Sequence, residues 1–490
     1  IRDWRLVQPL SNRQSPIPNH LISLWYPHMA DYRQEIATWQ QKRDAELRDP
    51  DGWLTLAGLF WLEPGRNTFG ADPTMILHRE GDNPNAIRAS QQFLGQGAWK
   101  DEPILRRHWQ EVDKELGDEN GVVIADGSDF PKQGQESVGV KRQMCGQLGK
   151  IANCQAGVFL SYASHKGYTL LDRRLYLPME WIEAESYADR RQQCGIPEDI
   201  SFQTKPELAA EMIEAVHKAG DLRHRWLTCD AAFGRDTAFL DRVGKLLFYF
   251  AEVDVDTQVW LTRPATHIPE WSGRGRKPTR PKLLDGQPTA QTVTALEESI
   301  VADSWTRQTI KEGSKGPLVA DFACIRVVAV RDSLPGPDVW LVFRRNLDTG
   351  EIKFYLSNAP ADTTLQTLAW LSGMRWPTES CFEESKQELG MGDYQVRSWK
   401  GWHHHMTLVI LAHFFLVRIR LNLADKAPPS PSLKLSPCCA HSCPSLSLMK
   451  NSLSTSFAIA NVLAMQLTFP IVESAYENLP PFLTLSLIHI

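Results

Sequence analysis

Two short apolar runs, each ending on an aspartate, set the strongest limit on how this chain can fold. "GVVIADGSDF" indicates a strand that ends on Asp126, and "RWLTCD" indicates a strand that ends on Asp230. Between them, "KPELAAEMIEAVHKAG" has helical periodicity, with Leu208, Met212 and Val216 on one side. This order predicts an α/β sheet, and such sheets place their active sites at strand ends. Both aspartates are therefore candidate site residues.

The neighbouring segments extend the same pattern. "CQAGVFLSYASHKGYTLLDRRLYLP" predicts two strands joined by a hairpin turn at 165–167, "GRDTAFLDRVGKL" predicts a helix, and "LFYFAEV" predicts a further strand. More than a hundred residues then separate this strand from the next strongly patterned helix. They contain the β-type runs "FACIRVVAV", "DVWLVFRR" and "EIKFYLS". We therefore expect a β-rich insertion at about 263–360.

The stretch "RWPTESCFEESKQELG" predicts a helix that carries Glu379 between two cations. At roughly 100° per residue, Lys386 lies within about 20° of Glu379 and Arg375 within about 40° of it. Pro377 is tolerated if it lies in the first turn. One carboxylate flanked by two cations suits a metal ligand beside groups that bind phosphate. The alternative is a solvated face of salt bridges, which is the usual meaning of such charges.

Together, the three carboxylates point to metal-assisted phosphoryl chemistry. Two divalent ions roughly 3.5 to 4 Å apart can stabilise the attacking and leaving oxygens of a phosphodiester. A few carboxylates, water and phosphate suffice to hold them. Each aspartate also has a structural alternative, because Asp126 could begin a turn and Asp230 could cap the next helix. Their combination with Arg375 and Lys386 favours the metal site.

The charge balance restricts how the chain can bind nucleic acid. Its 490 residues carry a net charge of -5, so the whole chain is not a polybasic binder, and DNA contacts require local patches. The best patch lies in "TRPATHIPEWSGRGRKPTRPK", and its cations are Arg274, Arg276, Lys277, Arg280 and Lys282. The alternative for this loop is a solvated linker. Trp271 beside it is more typical of a packing residue than of one that stacks on an unpaired base.

Cysteine use and hydropathy predict a protein of the cytoplasm without a membrane partner. The nine cysteines form no C-x2-C pair or zinc pattern, which indicates reduced thiols. We find no signal peptide and no uninterrupted apolar run of spanning length. Residues 406–419 predict a buried helix instead. The neighbouring His403, His404 and His405 point to different sides of a helix, so we interpret them as a helix start rather than as metal ligands.

Composition divides the chain into four parts. Residues 1–28 form an unpatterned leader, and Met29 is a candidate natural start. Residues 29–80 are rich in tryptophan and predict a helix at about 31–47, then hairpin-like strands around Pro64. Residues 81–426 form the α/β body. Residues 427–490 hold only four Asp, Glu, Lys or Arg, which indicates an out-of-frame or low-complexity tail. The alternative is a flexible native tail.

Three blocks resemble the signatures of insertion-sequence DDE transposases, in the group whose third block follows a Tyr-Arg-Glu-Lys pattern. The blocks are "VVIADGSDFPKQG", "TCDAAFGRD" and "RWPTESCFEESK". The resemblance covers roughly 86–423. It implies an RNase H-like mixed sheet flanked by helices, with a β-rich insertion before the helix that bears the glutamate. The stretch beginning "YRQEIATWQQKRDAEL" resembles an uncharacterised bacterial β-rich family instead, which makes 29–80 a foreign, chimeric segment.

The resemblance assigns roles position by position. The metal-binding and catalytic triad falls on Asp126, Asp230 and Glu379. Arg375 and Lys386 match positions that contact DNA phosphates, and Lys132 in the first block is a further candidate for DNA binding. The position of the motif's tyrosine falls on Ser372, a departure that bears on a DNA contact rather than on metal binding. Asp129 ranks second to Asp126 because we expect it to lie past the strand end.

The implied activity is DNA transposition that uses two Mg²⁺ or Mn²⁺ ions per active site. Water cleaves a phosphodiester at the element end, and the freed 3′-OH attacks target DNA. Partners would be double-stranded DNA and, on DNA, a second copy of the chain, in the bacterial cytoplasm at the nucleoid. Two alternatives stay open: a catalytically inactive chimeric remnant, and another RNase H-like nuclease that acts on RNA or branched DNA.

Overall fold

The computed structural model describes residues 65–68, 76–79, 92–271, 274–313 and 316–424. The leader, the helix expected at 31–47 and the low-charge tail lie outside these residues. The chain divides into two compact units, with the boundary between Asn83 and Pro84. In the first unit, strand β1 (Gly65–Thr68) pairs in antiparallel fashion with β2 (Ile76–Arg79).

The second unit is built on one large mixed sheet. Its first six strands are β3 (Val122–Pro131), β4 (Lys141–Cys145), β5 (Lys150–Ser164), β6 (Gly167–Tyr176), β7 (Trp226–Cys229) and β8 (Phe248–Val253). Strands β3, β7 and β8 run parallel, whereas β5 is antiparallel to β3, β4 and β6. Parallel neighbours need a crossover, which the helices between β6 and β8 provide.

The later strands continue the same sheet beyond β8. They are β9 (Gln258–Trp260), β10 (Thr266–His267), β11 (Lys282–Leu283), β12 (Gln291–Thr292), β13 (Thr306–Gly313), β14 (Gly316–Arg331), β15 (Leu334–Asn346) and β16 (Ile352–Ser357). Strand β16 pairs with β8, and β15, β14, β9 and β12 follow in that order. Strands β10 and β11 form a separate small pair instead.

α-Helices of the second unit flank the strands or link them. They are α1 (Asp101–Leu116), α2 (Met179–Glu183), α3 (Ala188–Cys194), α4 (Lys205–Ala219), α5 (Ala231–Gly234), α6 (Thr237–Val243), α7 (Val293–Glu298), α8 (Leu365–Leu371), α9 (Trp376–Glu388) and α10 (Trp399–Ala424). Short 3-10 turns span Gly146–Leu148, Glu185–Tyr187 and Ala302–Ser304. The predicted mixed sheet flanked by helices is confirmed.

Helix α4 shows how local sequence fixes an element. Thr204 accepts a hydrogen bond from the Glu207 backbone N–H, and the Glu207 carboxylate accepts one from the Thr204 backbone N–H. This capping box satisfies two donors that the first turn leaves free. The apolar face predicted from periodicity, with Leu208, Met212 and Val216, is buried against the sheet. Gly220 ends the helix at a positive φ of 64°, which glycine adopts without strain.

Helix α10 is the buried helix expected at 406–419, but it is longer than predicted. It begins at Trp399, so His403 lies one turn inside it and the predicted helix start at the histidines is wrong. The span Trp399–Leu421 is long and apolar enough to cross a membrane, yet 67% of its most apolar window is buried inside the protein. Its apolar side chains, including Trp402 and Met406, pack in a core that also contains Trp181.

One strand boundary was predicted wrongly. Asp126 does not end its strand, because β3 continues to Pro131, and Asp129 therefore lies inside the strand rather than past it. The reason is a difference between the two neighbours of β3. Strand β7 pairs with it only as far as Ala125, whereas β5 pairs with it over its whole length to Pro131. The continuous partner keeps the backbone extended after the apolar run has ended.

Candidate active site

Asp126 and Asp230 lie side by side at the edge of the parallel part of the sheet. The last residues paired between β3 and β7 are Ala125 and Cys229, so the two aspartates are the next residue on each strand. Asp126 accepts a hydrogen bond from the Gly127 backbone N–H at 2.7 Å. Asp230 caps α5 by accepting one from the Phe233 backbone N–H at 3.2 Å.

Glu379 reaches the same region from helix α9. Pro377 lies in the first turn, as predicted, where its missing N–H costs little. The buried Ser161 hydroxyl on β5 donates to the Thr378 hydroxyl at 2.8 Å, and this bond joins the first turn of α9 to the sheet. Phe382 packs edge-on against Phe159 of β5. Both contacts fix the helix face that carries Glu379.

Arg375 connects the two carboxylates that come from different elements. Its Nη1 lies 3.2 Å from Asp126 Oδ2, and its Nη2 lies 2.5 Å from Glu379 Oε1. Its Nε also lies 4.0 Å from Glu252 Oε2. A single guanidinium thus holds the first and third members of the predicted triad together. The predicted proximity of Arg375 and Glu379 along one helix face corresponds to this ion pair.

The electrostatics of the site favour a further positive charge. Burial, and then the charge of Asp230, raise the pKa of Asp126 to about 7. Burial also raises the pKa of Asp230, although the Phe233 N–H opposes the shift. Burial alone would lower the pKa of Arg375, but the nearby carboxylates outweigh it and the pKa is raised. Crowded carboxylates that one arginine only partly neutralises have the oxygen donors that a divalent cation prefers.

Sequence reasoning missed Glu252, a fourth carboxylate at this edge. It is the next-to-last residue of β8, where its Oε1 accepts a hydrogen bond from Lys353 Nζ at 2.9 Å. Its charge acts on both Asp230 and Arg375. The signal was present in "LFYFAEV", because an acidic residue near the end of an otherwise apolar strand needs a partner when it is half-buried. The partner, Lys353, lies about a hundred residues later and could not be read locally.

The predicted DNA-binding lysines of the body, Lys386 and Lys132, are both half-buried. Lys386 Nζ lies 3.4 Å from the Asp129 carbonyl oxygen, and burial lowers its pKa. Lys132 Nζ donates to the Tyr394 carbonyl at 3.3 Å and lies 3.5 Å from the centre of the Tyr394 ring. Burial lowers the pKa of Lys132 to about 8. Lys386 is therefore close to the strand that carries Asp126, whereas Lys132 is held by an internal contact.

The basic loop is exposed, as its composition suggested. Its cations Arg274, Arg276, Lys277 and Arg280 are all exposed, and none of them pairs with a carboxylate among the residues described. Trp271 is half exposed and donates from its indole nitrogen to the Gly275 carbonyl at 3.2 Å. Ser372, at the position of the motif's tyrosine, is buried with its hydroxyl donating to Ala369. Ser372 therefore offers no side chain to a ligand.

The three consecutive histidines do not form a metal site. Each is buried and has a ring nitrogen near a main-chain carbonyl oxygen: that of Trp399 for His403, Leu94 for His404 and Gly390 for His405. Burial lowers the pKa of all three. Across the described ranges, no three His, Cys, Asp or Glu side chains converge as a ready metal cluster. At the triad, Arg375 occupies the space between Asp126 and Glu379.

The fold and the site together define an RNase H-like nuclease domain. Two features identify it. The parallel strands of a mixed sheet place two aspartates at one edge, and a later helix supplies a glutamate. Residues 75–317 match the family model described as DDE superfamily endonuclease, and this part of the chain is a DDE-type transposase/endonuclease domain. The match includes Asp126 and Asp230 and ends before Glu379. No curated protein matches the chain.

Proposed function

We propose that this chain is a DDE transposase that cleaves DNA at the ends of an insertion sequence and joins the freed strand to target DNA. The observation that carries the proposal is the placement of the three carboxylates within a domain of the DDE endonuclease family: Asp126 and Asp230 follow the last paired residues of two neighbouring parallel strands, and Arg375 joins Asp126 to Glu379. Family membership implies a nuclease-like activity on DNA. The geometry supports the particular set of residues.

Asp126, Asp230 and Glu379 would hold the catalytic metal, and the donor set fits a hard divalent cation such as Mg²⁺ or Mn²⁺. Bound as a pair, such ions would activate the attacking oxygen and neutralise the charge that develops on the phosphate. The fit rests on the crowding that raises the pKa of Asp126 and on the cation already placed between two of the carboxylates.

The remaining residues would bind and orient the DNA. Arg375 presents a planar guanidinium at the site, a shape that matches phosphate oxygens in pairs. Lys386 lies beside the same strand as Asp126 and adds a second cation. The exposed cations of the basic loop would neutralise phosphates farther from the cut. A transposase must bring two DNA ends together, so we propose a homodimer on DNA, in the bacterial cytoplasm at the nucleoid.

The test of this function is strand transfer, because joining separates a transposase from other nucleases. The full chain is incubated with a labelled duplex that carries the element end, a supercoiled target plasmid, and Mg²⁺ or Mn²⁺. We expect nicking at the element end followed by covalent transfer of the label to the plasmid. Metal-dependent nicking without transfer would indicate another nuclease of this fold. A folded protein that neither nicks nor joins would be a remnant.

A further inference from the structure

The hairpin that joins β4 to β5 exposes an unusual amount of apolar surface. Met144, Leu148 and Ile151 have exposed fractions of 64%, 45% and 61%. Met144 and Ile151 are cross-strand partners, and Leu148 lies in the turn between the strands. We call residues 144–151 the hairpin tip. Three large apolar side chains exposed within eight residues form a patch, unlike a single exposed leucine, and such patches mark interaction sites.

The tip is held in place by the sheet below it. Cys145 is fully buried, so the side chains alternate between the core and solvent as in a regular strand. The Gly146 backbone N–H donates to Asp129 Oδ2 at 2.6 Å, and Gln143 Nε2 donates to the Cys154 carbonyl at 3.1 Å. These bonds fix the backbone of the tip, and the exposed apolar side chains project from a supported base.

The hairpin tip is continuous with the candidate active site. Asp129, which holds Gly146, follows Asp126 by three residues on β3. Lys386 Nζ lies 3.4 Å from Gln147 Oε1 in the tip and equally far from the Asp129 carbonyl oxygen. Glu379 and Lys386 share helix α9. A ligand bound across Glu379 and Lys386 would therefore meet the hairpin tip next.

The charges around the tip favour a polyanion. No Asp or Glu occurs from residue 137 to residue 171. Arg142, two residues before the tip, and Lys150, within it, are exposed. Apolar side chains bordered by cations suit DNA, since proteins that kink or unstack a duplex insert Met, Leu or Ile between bases while cations hold the phosphates. The Asp129 carboxylate at the base of the tip is engaged by the Gly146 N–H.

We propose that the hairpin tip is a wedge that unstacks bases beside the phosphate that is cut. Leu148 leads from the turn, Met144 and Ile151 widen the wedge from the two strands, and Arg142 and Lys150 contact the flanking phosphates. This inference rests on the proposed action on DNA and adds how the duplex is opened there. The role needs no particular base sequence, because every base offers an apolar face.

The test compares the full chain with a triple variant, Met144→Ser, Leu148→Ser and Ile151→Ser. A matched control, Val301→Ser with Ile419→Ser, removes exposed apolar side chains elsewhere. Ile419 is remote from the hairpin tip. The neighbouring Arg418 pairs with Glu115, which comes shortly before the first residue of β3, whereas the tip is bound to Asp129 near the last residue of that strand. The probes are short blunt duplexes with 2-aminopurine at successive positions near one end. The fluorescence of 2-aminopurine rises when that base is unstacked from its neighbours.

We expect the wild type and the control to raise the fluorescence at one or two neighbouring positions. The triple variant should lose this signal and bind roughly tenfold more weakly, with an unchanged dependence of affinity on salt because no charge is altered. Unstacking that persists in the triple variant, or wild-type binding without unstacking, would overturn the wedge. A change of oligomeric state in the triple variant with unstacking intact would make the tip a protein interface instead. If the wild type bound no DNA at all, the result would contradict the proposed function itself.

Discussion

Among single residues, Arg375 links the carboxylates of the candidate site. It pairs with Asp126 and Glu379 and lies near Glu252, so three carboxylates share one guanidinium. A metal that binds the triad would compete with Arg375 for the same oxygens. Arg375 would then be released from Asp126 and Glu379 toward phosphate, with Glu252 still beside it.

The variant Arg375→Gln tests this arrangement. We expect the metal-free protein to lose about 1 to 3 kcal/mol of unfolding free energy, because the carboxylates are left half-buried and repel one another. Added Mg²⁺ or Mn²⁺ should then raise its melting temperature more than that of the wild type, since the cation replaces the lost charge. Thermal unfolding with and without metal measures both effects.

The matched control is Arg345→Gln, which breaks an ion pair with Asp321 in the later strands. It should leave the response to metal at the wild-type value. Equal metal-induced shifts in wild type and Arg375→Gln would mean that the carboxylates around Arg375 do not bind the ion.

The residues of the site were readable from sequence only where their spacing was local. Glu379, Arg375 and Lys386 share one helix, so their common face followed from the helical period. Each aspartate was visible as a polar end to an apolar run. Glu252 was not found, because its partners Arg375 and Lys353 come from distant segments. The fixing of α9 by the Ser161 hydroxyl was invisible for the same reason.

At the scale of elements, helix α4 depends on its capping box. Thr204→Ala removes the side-chain acceptor for the Glu207 N–H. We expect a loss of about 1 kcal/mol in unfolding free energy, the usual value for such a cap. Urea unfolding measures it, and Thr204→Ser, which keeps the hydroxyl, should stay close to wild type. Equal losses in the two variants would show that the methyl group of Thr204, rather than its oxygen, matters.

The buried histidines of α1 and α10 make the stability of the fold sensitive to acid. Burial lowers the pKa of His108 and of His405 to about 4, against an ordinary value of 6.5. Between about pH 4 and 6.5 the unfolded chain binds protons that the folded chain does not, so their contribution to stability falls as the pH falls. Each histidine contributes about 1.4 kcal/mol per pH unit in that window.

A comparison of His405→Gln with wild type isolates one such contribution. As the pH falls from about 6.5 toward 4, the variant should lose about 1.4 kcal/mol less per pH unit than the wild type does. Urea midpoints at several pH values give the difference. The exposed His267→Gln serves as the control and should follow the wild type. Parallel pH profiles for His405→Gln and wild type would show that His405 takes a proton without unfolding.

Most elements followed from sequence because their signals are local. The helix over α4, the β5–β6 hairpin and the strands with long apolar runs all carry periodicity and turn residues within one segment. The predicted boundaries of strands and helices were wrong where contact with another segment determines them. Strand β3 runs past Asp126 because β5 pairs with it, and α10 starts early because His404 and Trp402 are buried by distant segments. In both cases the segment that determines the boundary lies far from it along the sequence.

At the scale of the whole molecule, the strands after β8 enlarge the main sheet. The sequence predicted a β-rich insertion, and the structure shows β16 beside β8 with β15 and β14 beyond. That continuity was not predictable, since pairing between distant strands leaves no local pattern. The enlarged sheet carries the candidate site at β3, β7 and β8, and its strands β9 and β12 flank the segment that contains the basic loop.

The basic loop should supply the salt-sensitive part of DNA affinity. Replacement of Arg274, Arg276, Lys277 and Arg280 by alanine should lower the slope of log affinity against log salt by about 3 to 4, if each contacts one phosphate. Fluorescence anisotropy over a salt series measures it. Lys218→Ala with Lys245→Ala, exposed cations that precede β7 and β8 at the opposite edge, should leave the slope unchanged. An unchanged slope in the loop variant would make the loop a solvated linker.

The sharpest test of the triad is metal-dependent cleavage of a labelled element-end duplex by the full chain and by Glu379→Gln. The matched control is Glu383→Gln, an exposed carboxylate one turn farther along α9. We expect wild type and control to nick with Mg²⁺ or Mn²⁺. Glu379→Gln should be slower by more than about a hundredfold, because losing a ligand costs more than losing a residue that supports one. Cleavage by Glu379→Gln at the wild-type rate would contradict the assignment of the triad.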